Sequence, residues 1–500
     1  MKRIFSNPLV ALAAGLSLRL FFVLKFPATS GDTVLYEQIA TNWLKHHVYG
    51  MTVGGAVTPV DLRMPGYPAF LALIYALTSR AGEDARLGVM LVQVAVDLAT
   101  CLVTAGLATM LLFMVNKQAR LRRVFIASLW LSVLCPFTAN YTAVPLTEVF
   151  AVFLTAAATL FLSLLVARFH DSDFRIVETY MVLGNDFWYL AALGGIFVGF
   201  GTLFRPETPL LLITVWIVLF FVLLRRGGLG RATRTVLLTG LLCLLPLAPW
   251  GVRNAITLHE FQFLAPKNSN LPGELVPYGL MAWEKTWLYR VRDCYLVPWK
   301  VNEEPIDVEE IPSRAFDTPE ERQRVASVLE QYNEDLTLTP EEDAVFAQIA
   351  RERTARHQLR TYVSVLAARA VTIWFTPRIE LLPVSGHVFP LTQMREDDPV
   401  DQEVTSLLFL LNIFYVGLGI WGAVRLWRSK TAARPVVAFL ALFILLRTAF
   451  LTTLETPEPR YVLVCFPALI ALAAQVFAPP AEAAQRTAPA STKSKECHDF

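Results

Sequence analysis

The run from Leu87 to Val115 constrains this chain more than any other feature. It exceeds the ~20 residues that carry a helix across a bilayer. Further apolar runs cover 8–26, 124–140, 146–167, 188–204, 209–224, 234–250, 404–427, 434–454 and 461–477. Charged residues make up only 17% of the 500 positions, where a soluble domain carries about a quarter, and hydrophobic residues reach 55%. The expected fold is therefore an all-α polytopic membrane protein.

Basic clusters between the runs set the orientation. They are Lys117, Arg120, Arg122 and Arg123; Arg168 and Arg175; Arg225, Arg226, Arg231 and Arg234; and Arg425, Arg428, Lys430 and Arg434. With these and Lys2 and Arg3 on the cytoplasmic side, the positive-inside rule gives ten spans and two cytoplasmic termini. A bacterial inner membrane is the location expected for the chain. The net charge of +2 gives no sign of nucleic-acid binding.

The organisation follows from the same pattern. Residues 1–250 form an N-terminal membrane module with a first outer loop at 27–86. A large outer loop covers 251–403, three further spans fill 404–477, and the Pro-, Ala- and Ser-rich tail 478–500 is expected to be disordered. Two apolar stretches, 67–79 and 362–375, are too short to span and are expected to lie at the interface. Thr339 followed by Pro340 and first-turn acids marks a helix start within the large loop. The six cysteines show no CxxC spacing, so no disulfide framework is expected.

Ionisable residues gather at the outward ends of the spans: Asp32, Asp61, Arg63, Glu148, Arg205, Glu207, Arg253, Glu455, Glu458 and Arg460. One reading is that each is an ordinary interface charge reaching for water. The other is a shared outward-facing cavity. In it arginines would bind a lipid phosphate in a bidentate fork, and a carboxylate would take a proton from an attacking hydroxyl. No P-loop or GxGxxG is present to bind a nucleotide. The stretch "DLRMPGYPAF" would turn at Pro65, Gly66 and Pro68 and hold Arg63 and Tyr67 at the cavity rim. Asp32 also suits a plain helix cap, and Glu148 the dipole of the helix it opens. His46 and His47 diverge on a helix and read as solvated. A transporter or lipid flippase is the rival class, and it would place ionisable groups near mid-membrane.

Several motifs occur in order at outward ends: "SGDTVLYEQIATNWLKHHVYG", "RMPGYPAFLALIYAL", "PLTEVF", "FRPE", "PWGVRN" and "EPRY". Together they resemble the GT-C membrane glycosyltransferases. The similarity is to the protein O-mannosyltransferase-like branch that includes lipid A aminoarabinose transferases. The resemblance implies a polyprenyl-phosphate-sugar donor and an active site on the periplasmic face. The acceptor would be a glycolipid, polysaccharide or protein, and the sugar would be transferred with inversion. It implies Asp32 as catalytic base, supported by Glu148 and Asp61. Arg63, Tyr67, Arg205, Arg253, Arg460 and Tyr461 would bind donor phosphate and sugar. Thr33 stands where the family often has a second acid, so a metal-binding acidic pair is not evident, although Asp61 is a candidate substitute.

Overall fold

The computed structural model describes residues 5–116, 121–170, 187–224, 229–266, 268, 274–389, 392–395 and 397–478. The predicted tail from 479 onward and the basic residues Lys2, Arg3, Lys117, Arg120, Arg175, Arg225 and Arg226 lie outside them.

Helix α1 (Pro8–Lys25) starts where Asn7 accepts from the Leu9 amide and Pro8 fills a position whose N–H would be orphaned. Helix α2 (Gly31–His46) follows. Its N-cap is Ser30, in a reciprocal capping box with Thr33. Asp32 therefore does not cap the helix, and its carboxylate is left for other partners. The hairpin β1 (Gly50–Val53) and β2 (Ala56–Pro59) turns through Gly54 and Gly55, both at positive φ. The all-α reading did not anticipate this small sheet.

Helix α3 (Gly66–Thr78) takes the place of the expected interfacial segment. Gly66 is required by close approach: a Cβ there would lie 2.6 Å from the Leu203 carbonyl oxygen, to which the Gly66 amide donates at 2.8 Å. That contact ties the first outer loop to the end of a later span. Helices α4 (Glu83–Val115), α5 (Leu121–Val133), α6 (Pro136–Ala139), α7 (Glu148–His170), α8 (Phe187–Thr202), α9 (Leu210–Leu224) and α10 (Leu229–Thr257) complete the N-terminal module. Pro136 breaks the α5–α6 pair, whose axes bend by 52°.

The large loop carries its own core. Helices α11 (Tyr278–Glu284), α12 (Pro319–Asp335) and α13 (Pro340–Arg356) enclose Trp283, Trp287, Val325, Phe346 and Ile349. Thr339 and Glu342 form the capping box that opens α13, as the sequence indicated. Helix α14 (Val365–Trp374) follows a π-turn at Arg360–Ser364. Arg369 is fully buried there and donates to the carbonyls of Leu288, Thr452 and Leu454. It fastens the large loop to the end of a membrane helix. The chain finishes with α15 (Pro399–Arg428), α16 (Arg434–Thr452) and α17 (Phe466–Ala473), the last preceded by a 3-10 turn at Pro459–Cys465.

Among the described residues seven helices are long and apolar enough to cross a membrane, eight if the bent pair counts as one. Helices α8 and α9, at two of the ten predicted spans, are shorter apolar helices.

The junction near Arg369 has a pH consequence. Glu284 is 2% exposed; burial, reinforced by the nearby Glu455, pushes its carboxyl from 4.5 up to about 8, against the pull of Arg369 and Lys285. The folded chain then holds this proton more tightly than the unfolded one. Its contribution is complete below pH 4.5 and is lost as pH rises toward 8, at roughly 1.4 kcal/mol per pH unit crossed. Thermal unfolding in detergent across this window should show falling stability that Glu284→Gln flattens; identical slopes would discount the group.

Candidate active site

Seven of the ten charges named from the sequence, Asp32, Arg63, Glu148, Arg205, Glu207, Glu458 and Arg460, lie in one network. Asp32, in the first turn of α2, accepts from Arg63 Nη2 at 2.8 Å through Oδ1 and from Arg460 Nη2 at 3.0 Å through Oδ2. These partners lie 31 and 428 residues away. Arg460 also meets Glu458 at 2.6 Å and Glu148 at 3.7 Å. Arg205, on the turn between α8 and α9, pairs with Glu148 at the start of α7. Arg447, inside α16, pairs with Glu207 at 2.9 Å and donates to the Tyr461 carbonyl. The Tyr461 ring lies under two guanidinium groups, 4.8 Å from Arg205 and 5.2 Å from Arg460, and its hydroxyl donates to Glu458.

Four guanidinium groups thus face four carboxylates within one network. Such a cluster is near neutral, so an added anion must compete with a carboxylate for an arginine. Burial alone would push the Asp32 carboxyl up, but Arg460 and Arg63 outweigh it and hold it below the usual carboxylate range. While both arginines contact it, Asp32 is an ionised and weak base. The second oxygen of Glu148, Oε2, is buried with no hydrogen-bond partner among the described residues. An open acceptor of this kind suits a ligand hydroxyl.

Three of the residues singled out from the sequence stand apart from this network. Tyr67 is not at a cavity rim. It is fully buried, with its hydroxyl donated to Gln93 at 2.7 Å, and Gln93 in turn donates to the Val144 carbonyl. Through that chain Tyr67 supports the segment that delivers Glu148. Arg253 donates to the carbonyls of Tyr49 and Val60, and its guanidinium lies over Tyr49 and Trp250. Asp61 accepts from Gln262. Arg253 and Asp61 brace the hairpin, and the Tyr49 hydroxyl passes that bracing on to the Arg63 carbonyl at 2.8 Å. Among the described residues no three His, Cys, Asp or Glu side chains gather as a metal site.

Sequence reasoning overlooked Arg447, although an arginine deep within the run 434–454 was a visible signal. It also overlooked the pair Arg19 and Asp97, both buried within spans α1 and α4.

The fold and site define a class: a multi-pass membrane protein with an ion-paired polar network at one end of its helix bundle. No protein-family model and no curated protein matches the chain. Among solved structures it is similar to an Archaeoglobus fulgidus oligosaccharyltransferase complexed with zinc and sulfate, at 13% identity and a TM-score of 0.44 over 93% of this chain. It is also similar to ArnT from Cupriavidus metallidurans bound to undecaprenyl phosphate, at 13% identity and a TM-score of 0.39, over 93% of this chain and 77% of that one. The chain spans about half of the oligosaccharyltransferase, 48% of its length. Likeness at this level carries no information about activity.

Proposed function

We propose that this protein is a membrane glycosyltransferase that moves a sugar from a polyprenyl-phosphate donor to an acceptor hydroxyl at the periplasmic face. The observation that carries the reading is Asp32 held between Arg63 and Arg460 in a charge-balanced network. A donor phosphate entering this network takes up the two arginines in charge-assisted hydrogen bonds. Asp32 thereby loses the partners that depress its basicity and gains proton affinity when substrate is present. The acceptor hydroxyl then gives its proton to Asp32 while its oxygen bonds to the anomeric carbon. The bond from that carbon to the phosphate oxygen breaks, and polyprenyl phosphate departs onto Arg63 and Arg460. A single displacement of this kind inverts the anomeric centre. Glu148 Oε2, buried without a hydrogen-bond partner among the described residues, would receive a sugar hydroxyl, beside Arg205 stacked over the Tyr461 ring.

The transporter alternative needs mid-membrane charge with somewhere to lead. Arg19 and Asp97 supply the charge, but Arg19 is saturated by Asp97 and by the carbonyls of Gly15 and Val133. The space beside Asp97 is about 10 Å³, no more than a single water needs. That pair is a structural pin.

Purified protein incubated with labelled polyprenyl-phosphate sugars and membrane extract tests the proposal. Label should move from donor to a new product, and a protein that binds the donor without releasing its sugar ends the reading. In the same system Arg63→Ala should weaken donor affinity by roughly ten- to a hundredfold, the value of a lost hydrogen bond between charged groups. Unchanged affinity for polyprenyl phosphate would remove Arg63 from the phosphate site.

A further inference from the structure

Beside the ion network lies a cavity of about 610 Å³, bounded by α14, α15 and the segments 289–295 and 376–389. Its two sides differ in chemistry. One wall is apolar and open to the surroundings, with Val371 58%, Phe375 41% and Phe389 59% exposed and Phe409 against Phe389 at 6.0 Å. The other end presents Glu380 and Arg290.

Glu380 is tied to the ion network by the backbone. Arg378, two residues before it, is buried in the left-handed region at φ 57°, a conformation that a non-glycine residue adopts only when its surroundings impose it. It is held there by Asn412 and by the carbonyls of Ile373 and Pro459, the last at 2.8 Å. Pro459 directly precedes Arg460. Glu380 is consequently within electrostatic reach of Arg460 and Glu458, and burial pushes its carboxyl up. Among the described residues no side chain hydrogen-bonds to Glu380, whose nearest cations include Arg378 and Arg292, and the Arg290 guanidinium lies over the Tyr289 ring with no hydrogen-bonded acceptor.

We infer that this cavity seats the acceptor, a lipid with a hydroxylated headgroup, and that Glu380 receives a hydrogen bond from that headgroup. The inference rests on the transferase reading and extends it to the second substrate. The exposed apolar wall of Val371 on α14 with Phe375 and Phe389 suits acyl or prenyl chains entering from the bilayer. The polar end, joined to Arg460 through Pro459, orients the headgroup toward the donor. Glu380 is on this account a specificity-determining residue, separate from the proton transfer at Asp32. Arg290 supplies a donor for headgroup oxygens.

The test uses the full chain in liposomes with labelled polyprenyl-phosphate sugar and fractionated membrane lipids. Glu380→Gln should raise the acceptor KM about tenfold or more while kcat and the Kd for polyprenyl phosphate stay within about twofold. Thr372→Trp, which places an indole within the cavity lining, should stop transfer to lipid while leaving polyprenyl-phosphate binding intact. If Glu380→Gln fails to fold, seen as lost donor binding, Thr372→Trp decides alone. Unchanged acceptor dependence in either folded variant overturns the inference, as does label recovered on protein in place of lipid. Those outcomes leave the transferase reading standing. A wild-type chain that binds donor and transfers its sugar to no fraction removes both.

Discussion

Asp32→Asn should lower sugar transfer by about a thousandfold, within the range that general-base groups supply, while polyprenyl-phosphate binding is kept. The side chain keeps its shape, but its amide nitrogen can only donate, so Asn accepts from one of Arg63 and Arg460 where Asp32 accepts from both. What it loses is the charge that competes with phosphate for those arginines, and the lone pair that accepts a proton. Donor affinity should therefore hold or rise while turnover collapses. This split separates a chemical role from a scaffolding one, because a residue that merely ordered the network would reduce both together. Single-turnover transfer and donor binding, measured on the same detergent-purified sample, report the two quantities. Turnover within tenfold of wild type would falsify the assignment of Asp32 as base.

The second large effect is on stability, far from the active site. Arg19 in α1 has no side-chain exposure and donates to Asp97 of α4 at 2.7 Å. It also donates to the carbonyls of Gly15 and Val133, joining three helices at one point. Asp97→Ala leaves a buried guanidinium without its counter-charge, which costs about 3–5 kcal/mol. The double variant Arg19→Met with Asp97→Leu removes both charges and should recover most of that loss, because desolvation of the pair offsets much of its attraction. Unfolding curves in detergent for the three variants check this. A single Asp97→Ala chain as stable as wild type would show that Arg19 finds another partner or water.

The contrast between these two sites shows what the linear chain makes legible. The spans read directly from apolar runs because a bilayer selects on composition and length, and both are local properties. The position of the helix at 66–78 and the capped start at Thr339 follow the same local logic. The hairpin was hidden because a four-residue strand pair carries little pattern of its own.

Which charges meet was beyond the sequence. Arg253 and Arg460 have the same type and stand alike at the ends of apolar runs, yet one braces a hairpin through backbone carbonyls and the other contacts Asp32. Asp61 and Asp32 part in the same way, toward Gln262 and toward two arginines. Composition and order along the chain determined that this protein crosses a membrane and which ionisable groups stand at the ends of its apolar runs. Tertiary packing alone decided which of them share a network, because an ion pair is fixed by distance in space, and 428 residues of chain separate Asp32 from Arg460.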